Sequence, residues 1–184
     1  MSVTTLIYHS INDRADLVAG GAALPVARFF EHIKFIAKSG RTPATLASSL
    51  HPGATGIAVT FDDGDADVFE TALPILQKFG VPATVFVSSS LLDTEWVDHG
   101  LKRRMLTTSQ LQSLAASPLI EIGSHAHVHA PMVLRSRADL LEDLSLSKQM
   151  LETIVGKPVR YLAYPHGSHN ADVMEVAKQV GFEA

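Results

Sequence analysis

Cysteine is absent from the 184 residues, which excludes disulfides, thiolate nucleophiles and sulfur metal ligands and leaves the redox compartment open. A basic excess is absent too. Lys and Arg total 15 against 19 Asp and Glu, a formal charge of −4 at pH 7, so a phosphate backbone finds no electrostatic footprint and no nucleic acid partner is expected. No apolar run approaches the roughly 18 residues of a membrane span. The opening "MSVTTLIYHS" has no basic segment and too short an apolar run for a secretory signal, so a cytoplasmic location is expected; a chain trimmed of its leader would read the same way. No repeat or low-complexity tract interrupts the chain. What is present is 46% hydrophobic and 18% charged residues, the composition of one globular domain over residues 1–184 with a substantial core. Without cysteine, any metal argument falls to the nine histidines and the acids.

Short β-branched runs alternate with segments of helical period. "VTTLIYH" is predicted as a first strand. In "VARFFEHIKFIAKSG", Phe29, Ile33, Ile36 and Ala37 share a face and Gly40 follows the end, the pattern of a helix stopped by a left-handed residue. "GIAVTF" hardly alternates and is predicted as a second strand buried on both faces. Residues 66–79 have helical period, with Pro74 expected to kink them, and "ATVFV" is a third strand. The pattern breaks between Ser88 and Met105, which reads as a loop. A helix over "QLQSLAAS" is expected to begin near Thr108 or Ser109, where a hydroxyl can cap it. "PLIEIGSH" is a fourth strand ending in His125. "RADLLEDLSLSKQMLETIVG" is a long helix with Leu140, Leu141, Leu144, Met150, Leu151 and Ile154 inward. "VRYLAYPHG" is a fifth strand with a turn, and "NADVMEVAKQVG" a helix capped by Asn170. Such β-then-α units in series predict an α/β fold on a parallel sheet, open or rolled into a barrel. Ligands bind at the carboxyl ends of such strands. His9, Asp62 with Asp63, His125, and Pro165 with His166 each follow an apolar run.

"TFDDG", Thr60 to Gly64, sets Asp62 beside Asp63 where a strand ends. Within a strand, neighbours point to opposite faces. At its end a glycine lets the backbone turn, and both acids can reach one cleft. Either they serve a turn, with Asp62 or Asp65 capping the next helix, or they have different chemical jobs. "SHAHVHAP" adds His125, His127 and His129. On a helical turn His125 and His129 would direct ring nitrogens to one metal; an extended segment would align all three; capping or packing is the structural alternative. With Asp63 added from another strand end, two imidazoles and a carboxylate make a catalytic zinc set that leaves a position for water. Asp62, left unligated, can then accept a proton.

"TFDDG", then "SHAHVH", then "YLAYPHG", in that order over essentially the whole chain, resembles the polysaccharide deacetylase family, also called the NodB-homology domain or carbohydrate esterase family four. "LIYHSI" is similar to the start of the branch that acts on bacterial surface polysaccharides. The resemblance implies a distorted (β/α) barrel, one divalent metal ion, commonly zinc, and removal of N-acetyl groups from an acetylated carbohydrate. It also implies roles: Asp62 as general base, Asp63, His125 and His129 as metal ligands, and the backbone N–H near His166, where the family usually has an aromatic, as an oxyanion donor.

The chain departs from the pattern in three places. The family's third motif often carries an arginine that braces the base; aligned on Pro165, that position is Ala163. Ala126 stands where a hydroxyl residue usually follows the first metal histidine. Family members continue to an apolar stretch ending in a catalytic histidine, whereas this chain stops at "VGFEA". The expectation is therefore an incomplete barrel: a fragment, or a chain in which His9, His127 or His166 substitutes, or an inactive product. An open barrel exposes a sheet edge, so a homo-oligomer across that gap is expected. The rival functions are a non-catalytic barrel that binds metal or sugar, and an amide hydrolase for a small non-sugar substrate. His9 is expected to line the mouth or cap a strand, Trp96 to form a sugar-stacking wall or to pack, and Pro165 to border the substrate beside His166. Lys102, Arg103 and Arg104 read as a solvated face rather than an anion site, and His32 as a surface or satisfied residue.

Overall fold

A computed structural model describes residues 3–183. The first strand, β1 (Val3–Tyr8), leads through the short β2 (Ser10–Ile11) and α1 (Ala15–Ala19) to β3 (Ala23–Leu24), which pairs in parallel with β2. α2 (Val26–Lys38) buries Phe29, Ile33 and Ile36, as its period predicts, while Ala37 lies exposed at the rim of that face. Next come β4 (Pro43–Ala44), α3 (Leu46–Ser49) and β5 (Gly56–Phe61). Every residue of β5 is buried, because the strand has neighbours on both edges and packed layers on both faces. β1 pairs along its whole length, from Val3 opposite Gly56 to Tyr8 opposite Phe61.

A π-helical turn, Val68–Ala72, precedes α4 (Leu73–Phe79). Pro74 therefore falls in the first turn of α4, where a missing N–H is tolerated, and the expected kink becomes a change of helical register. β6 (Ala83–Val87) shares the second edge of β5 with β4: Pro43 and Ala44 face Ile57 and Ala58, while Thr84 and Val85 face Thr60 and Phe61. The stretch expected to be a loop holds an antiparallel hairpin, β7 (Glu95–Asp98) with β8 (Leu101–Arg104). α5 (Thr108–Ala116) begins where expected, and the hydroxyl that caps it lies one residue earlier. Its cap is Thr107, which forms a capping box with Gln110.

β9 (Ile120–Ser124) pairs with β6, and the crossover helices α6 (Arg137–Val155) and α7 (Ala171–Val180) complete the chain. Asn170 caps α7 through Val173 N–H as predicted. On α6, Leu140, Leu144 and Leu151 are buried, and Leu141, Met150 and Ile154 pack partly buried against the core. Asp143 and Ser147 are buried among them. The expected fifth strand shrinks to one parallel bridge, Leu162 with Ser124, in a run bounded by Pro158 and Pro165, which cannot donate to a ladder.

The result is a five-stranded parallel sheet curled as a distorted (β/α) barrel. Among the described residues it stays open between β1 and Leu162. Beside the open edge, Ile7 of β1 is 62% and Phe35 of α2 69% exposed, and both line a groove of about 670 Å³. No described helix is long and apolar enough to cross a membrane.

Candidate active site and metal centre

Beyond Phe61, the Gly64 N–H donates to the Asp62 carbonyl at 2.9 Å across Asp63, whose φ is +70°. A bond spanning two residues around a positive-φ centre is a γ-turn, rare and strained at a non-glycine residue. It breaks the strand's alternation, and both acids line one cleft. Gly64 completes the bend at φ +94°, where a Cβ would approach Val87 Cγ1 to 3.2 Å. Asp62 N–H donates to the Tyr8 carbonyl at 2.9 Å and Ser88 N–H to the Asp63 carbonyl at 3.2 Å, which ties the turn to the ends of β1 and β6.

The histidines sit on a second turn, after β9. His125 and His129 converge through an irregular bend about Ala126, at φ +64°, and not through the helical turn that the four-residue spacing suggested. Asp143 on α6 holds this bend from behind. Its carboxylate accepts from His127 N–H at 2.8 Å and Val128 N–H at 3.1 Å and pairs with Arg135. His127 turns aside, with Nδ1 2.9 Å from Ser89 Oγ. His125 Nδ1 lies 2.9 Å from the Ala163 carbonyl oxygen, so that nitrogen carries the proton and Nε2 keeps its lone pair. Burial pushes His125 down to about 4, so the ring is neutral at pH 7, as a metal ligand must be.

Donor atoms of Asp63, His125 and His129 lie within 4.8 Å of one another. Asp63 Oδ1 is 3.5 Å from His125 Nε2 and 3.2 Å from His129 Nε2, yet it is buried without a hydrogen bond of acceptable geometry. A buried carboxylate oxygen in that state is costly unless a cation satisfies it. Two imidazole nitrogens and this oxygen fit a divalent ion of the zinc type.

The other Asp63 oxygen is held by a residue that sequence reasoning missed. Arg103 Nη2 lies 2.8 Å from Asp63 Oδ2, and its Nη1 2.7 Å from Asp65 Oδ2. Arg103 is 4% exposed, which removes it from the solvated face expected of residues 102–104, while Lys102 and Arg104 are exposed as expected. The signal available was slight, a His99–Gly100 turn between the two short runs of "EWVDHGLKRR"; the hairpin it closes sets Arg103 opposite Trp96.

The two adjacent acids are driven apart electrostatically. Burial alone would raise Asp63, but His129 and Arg103 outweigh it and hold the carboxyl well below the usual carboxylate range. Burial, then the Asp63 charge, push Asp62 up to about 7, with His129 opposing. One acid is permanently anionic and its neighbour can take and release a proton near neutrality.

A family model described as polysaccharide deacetylase matches residues 51–184. The chain belongs to the polysaccharide deacetylase family. It is 28% identical over 171 residues to a poly-β-1,6-N-acetyl-D-glucosamine N-deacetylase of Staphylococcus aureus, covering 85% of this chain and 58% of the relative. Among solved structures, IcaB from Ammonifex degensii superposes with a TM-score of 0.85 at 23% identity, covering 98% of this chain and 81% of that one. BC0361, a polysaccharide deacetylase from Bacillus cereus, gives 0.84 at 27%, covering 100% and 56%. The chain spans 58–61% of the length of the curated relatives it matches first.

In this polysaccharide deacetylase family member, Asp62, Asp63, His125, His129, His9 and His166 all line one cleft of about 520 Å³. His9 is exposed at its mouth, where partial desolvation by the cleft's neighbouring side chains lowers its pKa. His166 is exposed, at φ +57° in the turn Pro165–Gly167, with its ring 4.4 Å from that of His129. Two residues expected at the substrate stand outside this lining, and for Trp96 the contacts are those of the packing alternative. Pro165 is buried beneath this turn, and Tyr164 and Gly167 line the cleft in its place. Trp96 lies outside the lining because its ring covers the Arg103 guanidinium at 4.5 Å and meets His129 edge-on at 4.8 Å. At the position of the family's bracing arginine, the Ala163 carbonyl holds His125, and the arginine of the cleft, Arg103, grips Asp63 rather than Asp62.

Proposed function

We propose that this chain is the deacetylase domain of an N-deacetylase acting on an N-acetylated polysaccharide of the bacterial surface, with a divalent ion, zinc first among candidates, held by Asp63, His125 and His129. The observation that carries the reading is the buried, unbonded Asp63 Oδ1 facing two imidazole nitrogens beside an acid whose pKa is pushed up to about 7. The substrate class follows that of the Staphylococcus aureus relative, a poly-β-1,6-N-acetyl-D-glucosamine N-deacetylase. Bound by those residues, a divalent ion would supply Lewis acidity toward the amide carbonyl and acidify water.

The chain's own residues do the rest. Asp62 accepts the proton of the water that adds to the acetyl carbon. Gly167 and Ser168 N–H are committed to the Tyr164 and Pro165 carbonyls at 2.8 and 3.0 Å, which leaves the His166 N–H as the turn's donor for the developing oxyanion. When the C–N bond breaks, the amine needs a proton. Asp62, which now holds the water's proton, can hand it to the amine; alternatively a protonated His9 or His166, both open to the cleft, gives its own proton while Asp62 releases to solvent, and His127 is engaged with Ser89.

Acetate release from an N-acetylglucosamine oligomer tests the reading, with this chain assayed untreated, stripped by chelator, and as Asp62→Asn. The untreated chain should release acetate and the other two should not. Undiminished release after stripping would remove the metal from the mechanism, and undiminished release by Asp62→Asn would remove the base.

A further inference from the structure

Arg103 has surroundings unlike those of any other described cation. Its guanidinium is clamped between two carboxylates, each with a side chain no more than 4% exposed, and roofed by Trp96. We propose that Arg103 is a positioning residue that occupies Asp63 Oδ2, so that Asp63 meets a divalent ion through Oδ1 alone. This rests on the metal reading above.

The argument is geometric. A guanidinium is a rigid planar fork, and its two arms here fix two carboxylates at one spacing. Arg103 Nε is buried without a partner, so the Nη arms alone orient the group. The far arm ends on Asp65, which is 2% exposed and bridged to Met105 across the base of the hairpin. Ala66 N–H also donates to the Arg104 carbonyl at 2.9 Å. Hairpin and ligand turn are thereby one unit, and rotation of the Asp63 carboxylate would break the near arm. With Oδ2 engaged, only Oδ1 remains for an ion. A lysine at the same place carries one point-like head and cannot span both acids. The plain alternative is that Arg103 merely bolts the hairpin to the sheet.

Cobalt(II) added to the metal-stripped chain separates these readings. In the parent, X-ray absorption should show a single carboxylate oxygen at the ion; a two-oxygen chelate would overturn the proposal. In Arg103→Met, uptake measured against a competing chelator should weaken about 10- to 100-fold, the range for partners that orient ligands. Its visible band should also weaken as the freed Asp63 raises the coordination number. Arg103→Lys should fall between the two. A folded Arg103→Met or Arg103→Lys chain with parental affinity and spectrum means a bolt only, and the proposal fails. If neither variant folds, the absorption experiment on the parent still decides. A parent that takes up no ion defeats the metal reading itself, an outcome distinct from an ion bound through both oxygens.

Discussion

The turn that carries Asp62 and Asp63 and the turn that carries His125 and His129 both follow the carboxyl end of a buried strand, and both contain a non-glycine residue at positive φ, Asp63 at +70° and Ala126 at +64°. Their braces have opposite charge and act at different levels. Arg103 grips the side chain of the candidate ligand Asp63, whereas Asp143 grips the main chain between the two histidines. The difference follows from the ligands. A carboxylate offers two equivalent oxygens, and something must choose between them. An imidazole is already chosen once its Nδ1 is tied, as His125 is tied to Ala163, so only the position of its backbone remains to be set.

The largest effect should come from the first turn, inside the acid pair. Asp62→Asn keeps the shape and removes the proton acceptor, and should lower acetate release about 10²- to 10⁴-fold, the usual contribution of a general base. Ion stoichiometry should be unchanged, since Asp62 is outside the donor set. Loss of the ion together with activity would mean that the two acids do not divide their roles as their opposite pKa shifts indicate.

Next in size is the second brace. Asp143→Ala strips two backbone N–H groups of their acceptor and leaves Arg135 without its partner. Breaking a buried pair by removing one member costs about 3–5 kcal/mol, discounted toward the lower figure because the Arg135 side chain is 25% exposed. Urea unfolding at neutral pH measures it. A loss below about 1 kcal/mol would show that the histidine turn holds itself and that only the acid turn needs a brace.

How far each turn was legible follows the same division. Apolar runs that end in an acid or a histidine reveal the strand ends and hence Asp62, Asp63, His125 and His129, because burial of a strand leaves its polar terminus as the only place for chemistry. Both braces were hidden. Arg103 lies among three consecutive basic residues, and Asp143 on a helix that otherwise reads as leucines facing a core. Charged residues are seldom buried, and their partners here lie 40 and 16 residues away, so nothing local marks the pairings. The hairpin of β7 and β8 was missed for a related reason: its strands are four residues each and mostly not buried, leaving little apolar alternation to read. Trp96, expected either to stack on sugar or to pack, packs on Arg103, and Pro165, expected beside the substrate, is buried in its own turn.

The pH profile sharpens the contrast within the acid turn. Asp62 must be anionic to accept a proton, and burial followed by the Asp63 charge push it up to about 7 from 3.8. Activity should therefore fall as pH drops, with a limb in kcat/KM that loses up to tenfold per pH unit. An ion on Asp63 offsets the second cause, so the midpoint of the loaded chain should lie between those two values. A profile flat down to about pH 4 would mean that Asp62 sits in water like an ordinary carboxylate.

The smallest effect concerns the one feature that the first brace has and the second lacks, an aromatic roof. Trp96→Leu keeps apolar bulk over Arg103 but removes the π face that lies 4.5 Å from the guanidinium and the edge contact to His129. With Arg103 buried and Trp96 partly buried, this cation–π contact is worth about 1–2 kcal/mol, so the unfolding midpoint should shift less than in Asp143→Ala. Cobalt uptake should weaken less than in Arg103→Met, because the indole acts on the ion only through the fork beneath it. If Trp96→Leu weakened uptake as much as loss of the arginine, the roof rather than the fork would be positioning Asp63, and the contrast between a braced side chain and a braced backbone would have to be redrawn around Trp96.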